Sequence, residues 1–533
     1  MKILETIHTK FLAAGLLFLA AGCSKSLDQK PYVQVTSETV YSSPANIKSA
    51  LAKLYAGLSL SGQDATTYPD INTQDVGSNV FLRVYWEAQE LTTDEAVIGW
   101  NDHDLLAYHN MNWTANGYFN QIMYDRVYFE IAACNEFIRQ TAGKSFSGFS
   151  AQDIANIKVY TNEARYLRAF AYWVAIDLYG NVPFVTENDG VGAYFPKQIQ
   201  RKDLFTYLET ELLDLQNVLP DPGQTDYGRA DKGAAWMLLA KLYLNANVYT
   251  GTAKNTEAIT YCNKIINSNK YALASKYSNL FKTDNNLTKE IIFPIAADGI
   301  SSQSYGNTTF LVHAEVGGNM NTNTQPYGIA AGGGWSGMRT TKAFVNLFSD
   351  PTGNTDQRAI FYTNGQTLEI INISNFGDGY AVPKFINLSS TGQQGSDPTG
   401  TFVDTDFPLF RLADVYLMYA EAVLRGGSGG DQTTALNYVN LLRQRAYGNT
   451  NGNIASGALT LDFILAERGR ELYWEAQRRT DLIRFGKFTD ASYLWPYKGG
   501  VPAGTGVDAK YNLFPLSATD LIANPNLIQT KGY

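Results

Sequence analysis

Of 533 residues, three are cysteine and four are histidine, and only 17% are charged. Each scarcity removes a class of function. No two cysteines stand in a CxxC spacing, so dithiol redox chemistry and zinc-thiolate sites are excluded. No histidine pair has the helical His-x3-His spacing of a metalloprotease, and neither a G-x-S-x-G elbow nor a phosphate-binding P-loop is present. Lysine and arginine number 42 against 50 acidic residues, giving a formal charge of −8. Without a concentrated basic patch there is nothing to bind a phosphate backbone, which excludes nucleic acid as a partner. No apolar run approaches the roughly 20 residues that a membrane-spanning helix needs.

What the chain does have is aromatic surface: 34 tyrosines, 27 phenylalanines and 8 tryptophans. At the N-terminus, Lys2 and Lys10 flank "FLAAGLLFLA" (11–20), and Ala20, Ala21 and Gly22 lead into Cys23. This reads as a bacterial lipoprotein signal over 1–22, with Cys23 as the acylated residue that becomes the mature N-terminus and anchors the protein to a membrane. The other two cysteines, Cys134 of "IAACNEFI" and Cys262 of "AITYCNKII", sit in helical patterns and read as buried free thiols.

Helical periodicity is clear in two regions. "NEARYLRAFAYWVAIDLYGNVPF" (162–184) carries an apolar stripe that Gly180 and Pro183 terminate. "AAWMLLAKLYLNANVY" (234–249) reads as a buried helix. Within it Trp236, Leu239, Ala240 and Tyr243 fit the first-helix pattern of a tetratricopeptide repeat, with Ala258, Cys262 and Ile265 supplying a second helix. A similar order runs through Tyr416, Tyr419, Ala420 and Val423, then Ala435, Val439 and Leu442. The expected architecture is mainly α, with helical hairpins stacked into one wall. Between about 271 and 405, Gly, Asn, Ser and Thr take over, with strand-like runs at "EIIFPIA" (290–296) and "TFLVHAE" (309–315). The expected organisation is a leader (1–22), an N-terminal helical region (23–270) and a C-terminal region (271–533), the last two packed as one unit.

Two tryptophans stand apart from the helical patterns. Trp100 of "DEAVIGWNDHDLL" and Trp335 of "YGIAAGGGWSGMRTT" are flanked by glycine and polar residues, a setting with little core to fill. A flat indole there suits the C–H face of a pyranose, with Arg, Asp and Asn for the hydroxyl rim. Trp173, Trp236 and Trp474 lie in helical stripes and read as core.

The segments "RYLRAFAYWVAIDLYGNVPFV", "GRADKGAAWMLLAKLYLNANVYTG", "FPLFRLADVYLMYAEAVLR", "ERGRELYWEAQRRTDLIRFGKF" and "NPNLIQTKGY" together resemble the SusD/RagB family of surface lipoproteins from glycan-degrading Bacteroidetes, and most closely its starch-binding members. The resemblance implies a tetratricopeptide-like helical wall facing a side of loops and small hairpins. It also implies non-catalytic capture of glycan for a SusC-like TonB-dependent porin. By the same resemblance Trp100 of "LTTDEAVIGW", Tyr305 of "YGNTTFLV" and Trp335 of "GGGWSG" form an aromatic arc, with polar contacts from Asp75 of "TQDVGS" and Arg83 of "FLRVYW". His103 stands where those members carry an amide contact, and Asn101 is the alternative two residues earlier.

Two other chemistries compete. A glycosidase needs two carboxylates about 5 to 9.5 Å apart, and fifty acidic residues always offer some such pair; a binding protein for a non-carbohydrate ligand such as peptide is the second alternative. The expectation is no enzyme and no cofactor beyond a structural calcium, for which Asp284 of "DNN" and Asp404 and Asp406 of "DTD" supply oxygen ligands. Most other acids read as solvated surface or helix pairs, as in "ERGRELYWEAQRRTDLIR" (467–484), where Glu475–Arg479 and Asp481–Arg484 have helical spacing.

Overall fold

In the computed structural model, which describes residues 37–63, 69–73, 75–192 and 194–533, helices dominate and every described sheet is a two-stranded pair. Of these residues, 37–47 fall to one compact unit and 48–533 to another. Residues 1–22 and Cys23 lie outside the described residues. Among the described residues no helix is long and apolar enough to cross a membrane.

The elements that matter here follow in chain order: α1 (Phe81–Glu90), β1 (Val97–Ile98), α2 (Tyr118–Thr141), α3 (Ala151–Leu178), α4 (Arg201–Val218), α5 (Lys232–Leu244) and α6 (Asn255–Asn267). After them come β2 (Ile291–Ile295), α7 (Thr308–Ala314), β3 (Met338–Arg339), β4 (Phe407–Arg411), α8 (Leu412–Leu424), α9 (Gln432–Tyr447), α10 (Leu461–Leu472) and α11 (Arg478–Arg484).

The helical wall is built as the stripes predict. Successive helices pack as neighbours, α2 on α3, α3 on α4, α4 on α5 and α5 on α6, and the last of these meets the α8–α9 hairpin. Leu239 and Ala240 on α5, Ala258, Cys262 and Ile265 on α6, and Ala435, Val439 and Leu442 on α9 are fully buried. The small residues let the helices approach while the branched ones fill the gaps. Starts are marked in sequence: Ser150 and Asp153 form a capping box on α3, and Asp231 and Asp431 cap α5 and α9. Cys134 and Cys262 are buried free thiols.

Strand β2 is where "EIIFPIA" predicts it and pairs antiparallel with β4. "TFLVHAE" is not a strand. It is helix α7, because Asn307 caps it by accepting from Thr309 N at 2.9 Å, and all seven of its residues are buried. Its β-branched residues make the sequence read as extended, and tertiary burial overrides that preference.

The segment 467–484 departs further from expectation. It is two helices, α10 and α11, separated by a link in which Trp474 (φ 62°) and Ala476 (φ 58°) are left-handed. Buried carboxylates receive the backbone groups freed by the break: Glu95 Oε2 accepts from Trp474 N at 3.0 Å and Glu90 Oε1 from Gln477 N at 3.0 Å. The Asp481–Arg484 pair forms at 2.7 Å, but Glu475 does not pair with Arg479. Instead Glu475 meets Lys384 at 2.8 Å and Arg411 at 2.6 Å, while Arg479 donates to Asn512 O at 2.8 Å.

Nor are these acids solvated: Glu467, Glu471 and Glu475 are all 0% exposed. They belong to a buried ionic centre in which Arg411 also holds Glu290 (2.9 Å) and Glu471 (2.6 Å), and Arg358 holds Asp356, Glu467 and Glu471. Burial alone would push the Glu471 carboxyl up, but Arg445, Arg411 and Arg358 hold it down at about 2. Glu130 on α2 is the opposite case. It is buried with the Cys134 thiol, at 3.5 Å, as its hydrogen-bond donor among the described residues, and burial raises its pKa to about 8 against the pull of Cys134, Arg126 and Lys53.

Candidate functional site

Helix α1 delivers Arg83. Its guanidinium, only 3% exposed, donates to Glu87 one turn along and to Asp75 of the preceding loop, both at 3.0 Å. Burial pulls the Arg83 pKa down and the two carboxylates more than restore it. Burial in turn raises Glu87 to about 7 despite Arg83. The guanidinium lies 4.8 Å from the Phe310 ring centroid and 5.8 Å from that of Trp100.

Trp100 follows directly on the β1–β3 pairing, Val97 opposite Arg339 and Ile98 opposite Met338, which Gly99 N extends by donating to Gly337 O at 2.9 Å. The Trp100 indole N–H donates to Trp335 O at 3.2 Å. A Cβ on Gly337 would lie 2.6 Å from Cζ2 of that indole, so only glycine lets the ring lie there.

Trp335 is tied across the C-terminal end of α7. Its N–H donates to His313 O (2.8 Å), Ser336 N to Val316 O (2.9 Å) and Gly337 N to Ala314 O (2.9 Å). The three-residue spacing of Phe310 and His313 puts both rings on one side of α7. Phe310 meets Trp100 edge-on at 6.0 Å, and His313 stacks behind Trp335 at 4.9 Å and 25°. The helical form of a segment that reads as a strand is therefore what backs both tryptophans.

Tyr305 completes the row. It lies 6.4 Å from Trp335 at 46°, and Trp335 lies 6.3 Å from Trp100 at 45°. All three rings are half-buried. Each plane is inclined to the next by about half a right angle, so no straight, flat chain can lie on all three faces at once.

Asp75, Arg83, Trp100, Asn101, His103, Tyr305 and Trp335 all line one open cleft of about 810 Å³. The sequence reading missed Tyr118 and Phe119, from the first turn of α2, and Asp102, which line it too. The "NGYF" turn before a helical stripe was the available signal. The remaining tryptophans are elsewhere: Trp86, Trp113, Trp173, Trp474 and Trp495 are buried and Trp236 is half-buried.

The aspartates considered for calcium brace loops. Asp284 accepts from Ser390 N (2.8 Å), Asp404 from Gly299 N (2.7 Å) and Ser396 N (2.6 Å), and Asp406 from Ala297 N (2.9 Å). Among the described residues no group of three or more His, Cys, Asp or Glu side chains gathers as a metal centre requires.

The SusD family model matches residues 349–533, all beyond the cleft residues. Across its length the chain is 33% identical to the starch-binding protein SusD of Bacteroides thetaiotaomicron, covering 99% of each chain. It is 25% identical to a SusD-like protein of Bacteroides ovatus, covering 92% of this chain and 84% of that one. Among solved structures, the fold matches surface glycan-binding protein A from Bacteroides fluxus (TM-score 0.68, 21% identity, 92% and 100% covered). It also matches surface glycan-binding protein A from Bacteroides thetaiotaomicron in complex with laminarihexaose (TM-score 0.67, 22% identity, 91% and 99% covered).

Proposed function

Because the chain belongs to the SusD family, we propose that it captures an oligosaccharide at the cell surface and does not cleave it. The observation that carries this is the tilted row Trp100–Trp335–Tyr305, with the Arg83–Asp75 pair beside it. Three C–H-facing surfaces with a polar edge suit a curved carbohydrate better than an extended peptide or a flat chain. We take the ligand to be a starch-like α-glucan. The identity to the starch-binding relative favours that choice, and so does the 45° step between rings.

The same reading places the protein at the outer membrane through lipid on Cys23, handing its ligand to a SusC-like TonB-dependent porin, with no catalytic role and no metal needed at the cleft. A Cys23→Ala variant is expected to lose membrane attachment when expressed without the porin; retention in the membrane fraction would count against the lipid anchor.

Each ring would remove roughly 50–100 Å² of apolar area from water, or about 1–2.5 kcal/mol at ~25 cal/mol/Å². Three rings and a few hydrogen bonds at about 1 kcal/mol each, set against the cost of association, leave about −4 to −6 kcal/mol. That is a Kd between tens of micromolar and millimolar, roughly. Calorimetry with maltooligosaccharides, followed by chromatography of the mixture, tests the reading. Binding in that range with the sugars intact supports it. Shorter sugars appearing at catalytic rates would make the protein a hydrolase instead.

A further inference from the structure

Helix α2 runs from the cleft to a second cavity. Phe119 of its first turn lines the cleft, whereas Ile138 and Thr141 of its last turns line a groove of about 530 Å³. At about 1.5 Å of rise per residue, the two lie roughly 30 Å apart along the helix. Glycan capture at the cleft makes no use of this groove.

The groove sits at the open end of the α2–α3 hairpin. Helix α2 stops at Thr141, Gly143 turns the chain with φ 66°, and the connecting loop stacks Phe146 on Phe149 at 5.3 Å and 18°. Ile138 and Ile157, at 1% and 2% exposure, supply an aliphatic floor, while Phe146 is half-buried at its edge. Ile154, in the first turn of α3, lines the same groove at 45% exposure.

The polar groups around this floor divide into paired and unpaired ones. Glu211 accepts from Arg165 Nε and Nη2, both at 2.9 Å, and Glu187 is held by Arg168. Both carboxylates lining the groove are therefore occupied. Lys144 and Lys158 line it as well, both exposed, and neither forms an ion pair among the described residues. Asn162 is only 7% exposed. Its Oδ1 accepts from Arg165 at 3.3 Å, but its Nδ2 has no acceptor among the described residues. The side-chain groups left unpaired here are donors: two ammoniums and a largely buried amide. In a chain of net charge −8 this is a local surplus of positive charge.

We propose that this groove is a second binding site, for a single-chain anionic amphiphile. Its carboxylate would meet Lys144, Lys158 and the Asn162 amide, and its apolar body would lie along Ile138, Ile154 and Ile157. A purely apolar ligand would leave the donors unused, and a bare anion would leave the isoleucines in water. The volume is that of a small-molecule pocket.

Calorimetry with decanoate, decanol and acetate, below the concentration at which decanoate forms micelles, tests the site. The parent should bind decanoate saturably and more tightly than either of the others. Lys144→Gln with Lys158→Gln is expected to weaken decanoate about three- to tenfold and leave decanol unchanged. Ile154→Ser, at a position exposed enough to spare the fold, should weaken decanoate and decanol alike, by about two- to threefold. Decanoate and maltoheptaose should not compete, given the distance between groove and cleft. Decanoate binding no better than decanol, or full affinity in the double lysine variant, overturns the site. Displacement of decanoate by maltoheptaose overturns it too, by moving the amphiphile to the cleft. Failure of maltoheptaose to bind at all would sink the glycan reading and leave the decanoate comparison standing.

Discussion

The cleft and the ionic centre invert the usual placement of side chains in opposite ways. In the cleft, Trp100, Trp335 and Tyr305 stay half in solvent on loops. In the ionic centre, Arg358, Arg411, Glu467, Glu471 and Glu475 are hidden among helices and short strands. Exposed aromatic faces add less to folding than buried ones would, which is why a ligand is the role proposed for them. Buried charges are explained by one another: each meets a partner of opposite sign at ion-pair distance. The family model matches the segment holding most of the second region and none of the first.

That contrast can be broken from either side. The largest effect is expected from Arg411→Met, which leaves Glu290, Glu471 and Glu475 without a shared cation. Urea unfolding should show a loss of about 3–5 kcal/mol, with sugar affinity unchanged in the molecules that stay folded. Trp335→Ala is the mirror experiment. Affinity should fall about tenfold or more while the melting temperature barely moves; a shift in stability comparable to that of Arg411→Met would erase the distinction between the regions.

Glu130 sharpens the comparison, being a buried carboxylate with no cation bonded to it among the described residues. Its folded pKa of about 8 lies above the unfolded value, so the folded state keeps a proton that the unfolded state releases. Its contribution is full below the ordinary carboxylate pKa and is lost as pH rises through about 8. Glu130→Gln should match the parent near pH 4.5 and be the more stable of the two above pH 8, as read from denaturation at the two pH values. The smallest effect belongs to Gly337→Ala, whose new methyl would press on the Trp100 indole. A loss of about threefold in sugar affinity, by calorimetry with maltoheptaose, is the expected outcome.

Much of this was legible because its signals were local. Glycine on one side of Trp100 and Trp335 and polar residues around them marked both as surface rings, and the Ala/Leu stripes marked α3 and α5. What was not legible depended on partners far away in the chain. Nothing near Trp474 or Ala476 announces a left-handed break, because the groups that stabilise it, Glu90 and Glu95, lie almost 400 residues upstream. Glu475 and Arg479 have ideal helical spacing, yet Lys384 and Arg411 offer the glutamate a drier and stronger contact. Tyr118 stands at the start of a helical stripe, and its contacts with Asp104 and His103 are what bring it to the cleft.

The indole of Trp100 is held by a hydrogen bond to the backbone of Trp335 and by a glycine that leaves no room to spare. The Trp100 ring is therefore tied to the backbone that carries Trp335, and a sugar binding as proposed would find that side chain already in place. The entropy still to be lost on binding belongs to the glycan, whose linkages must settle into one curvature. Differences in affinity among ligands of the same composition should then follow how stiff each one is before it arrives. They should appear in how slowly the ligand leaves more than in how fast it lands.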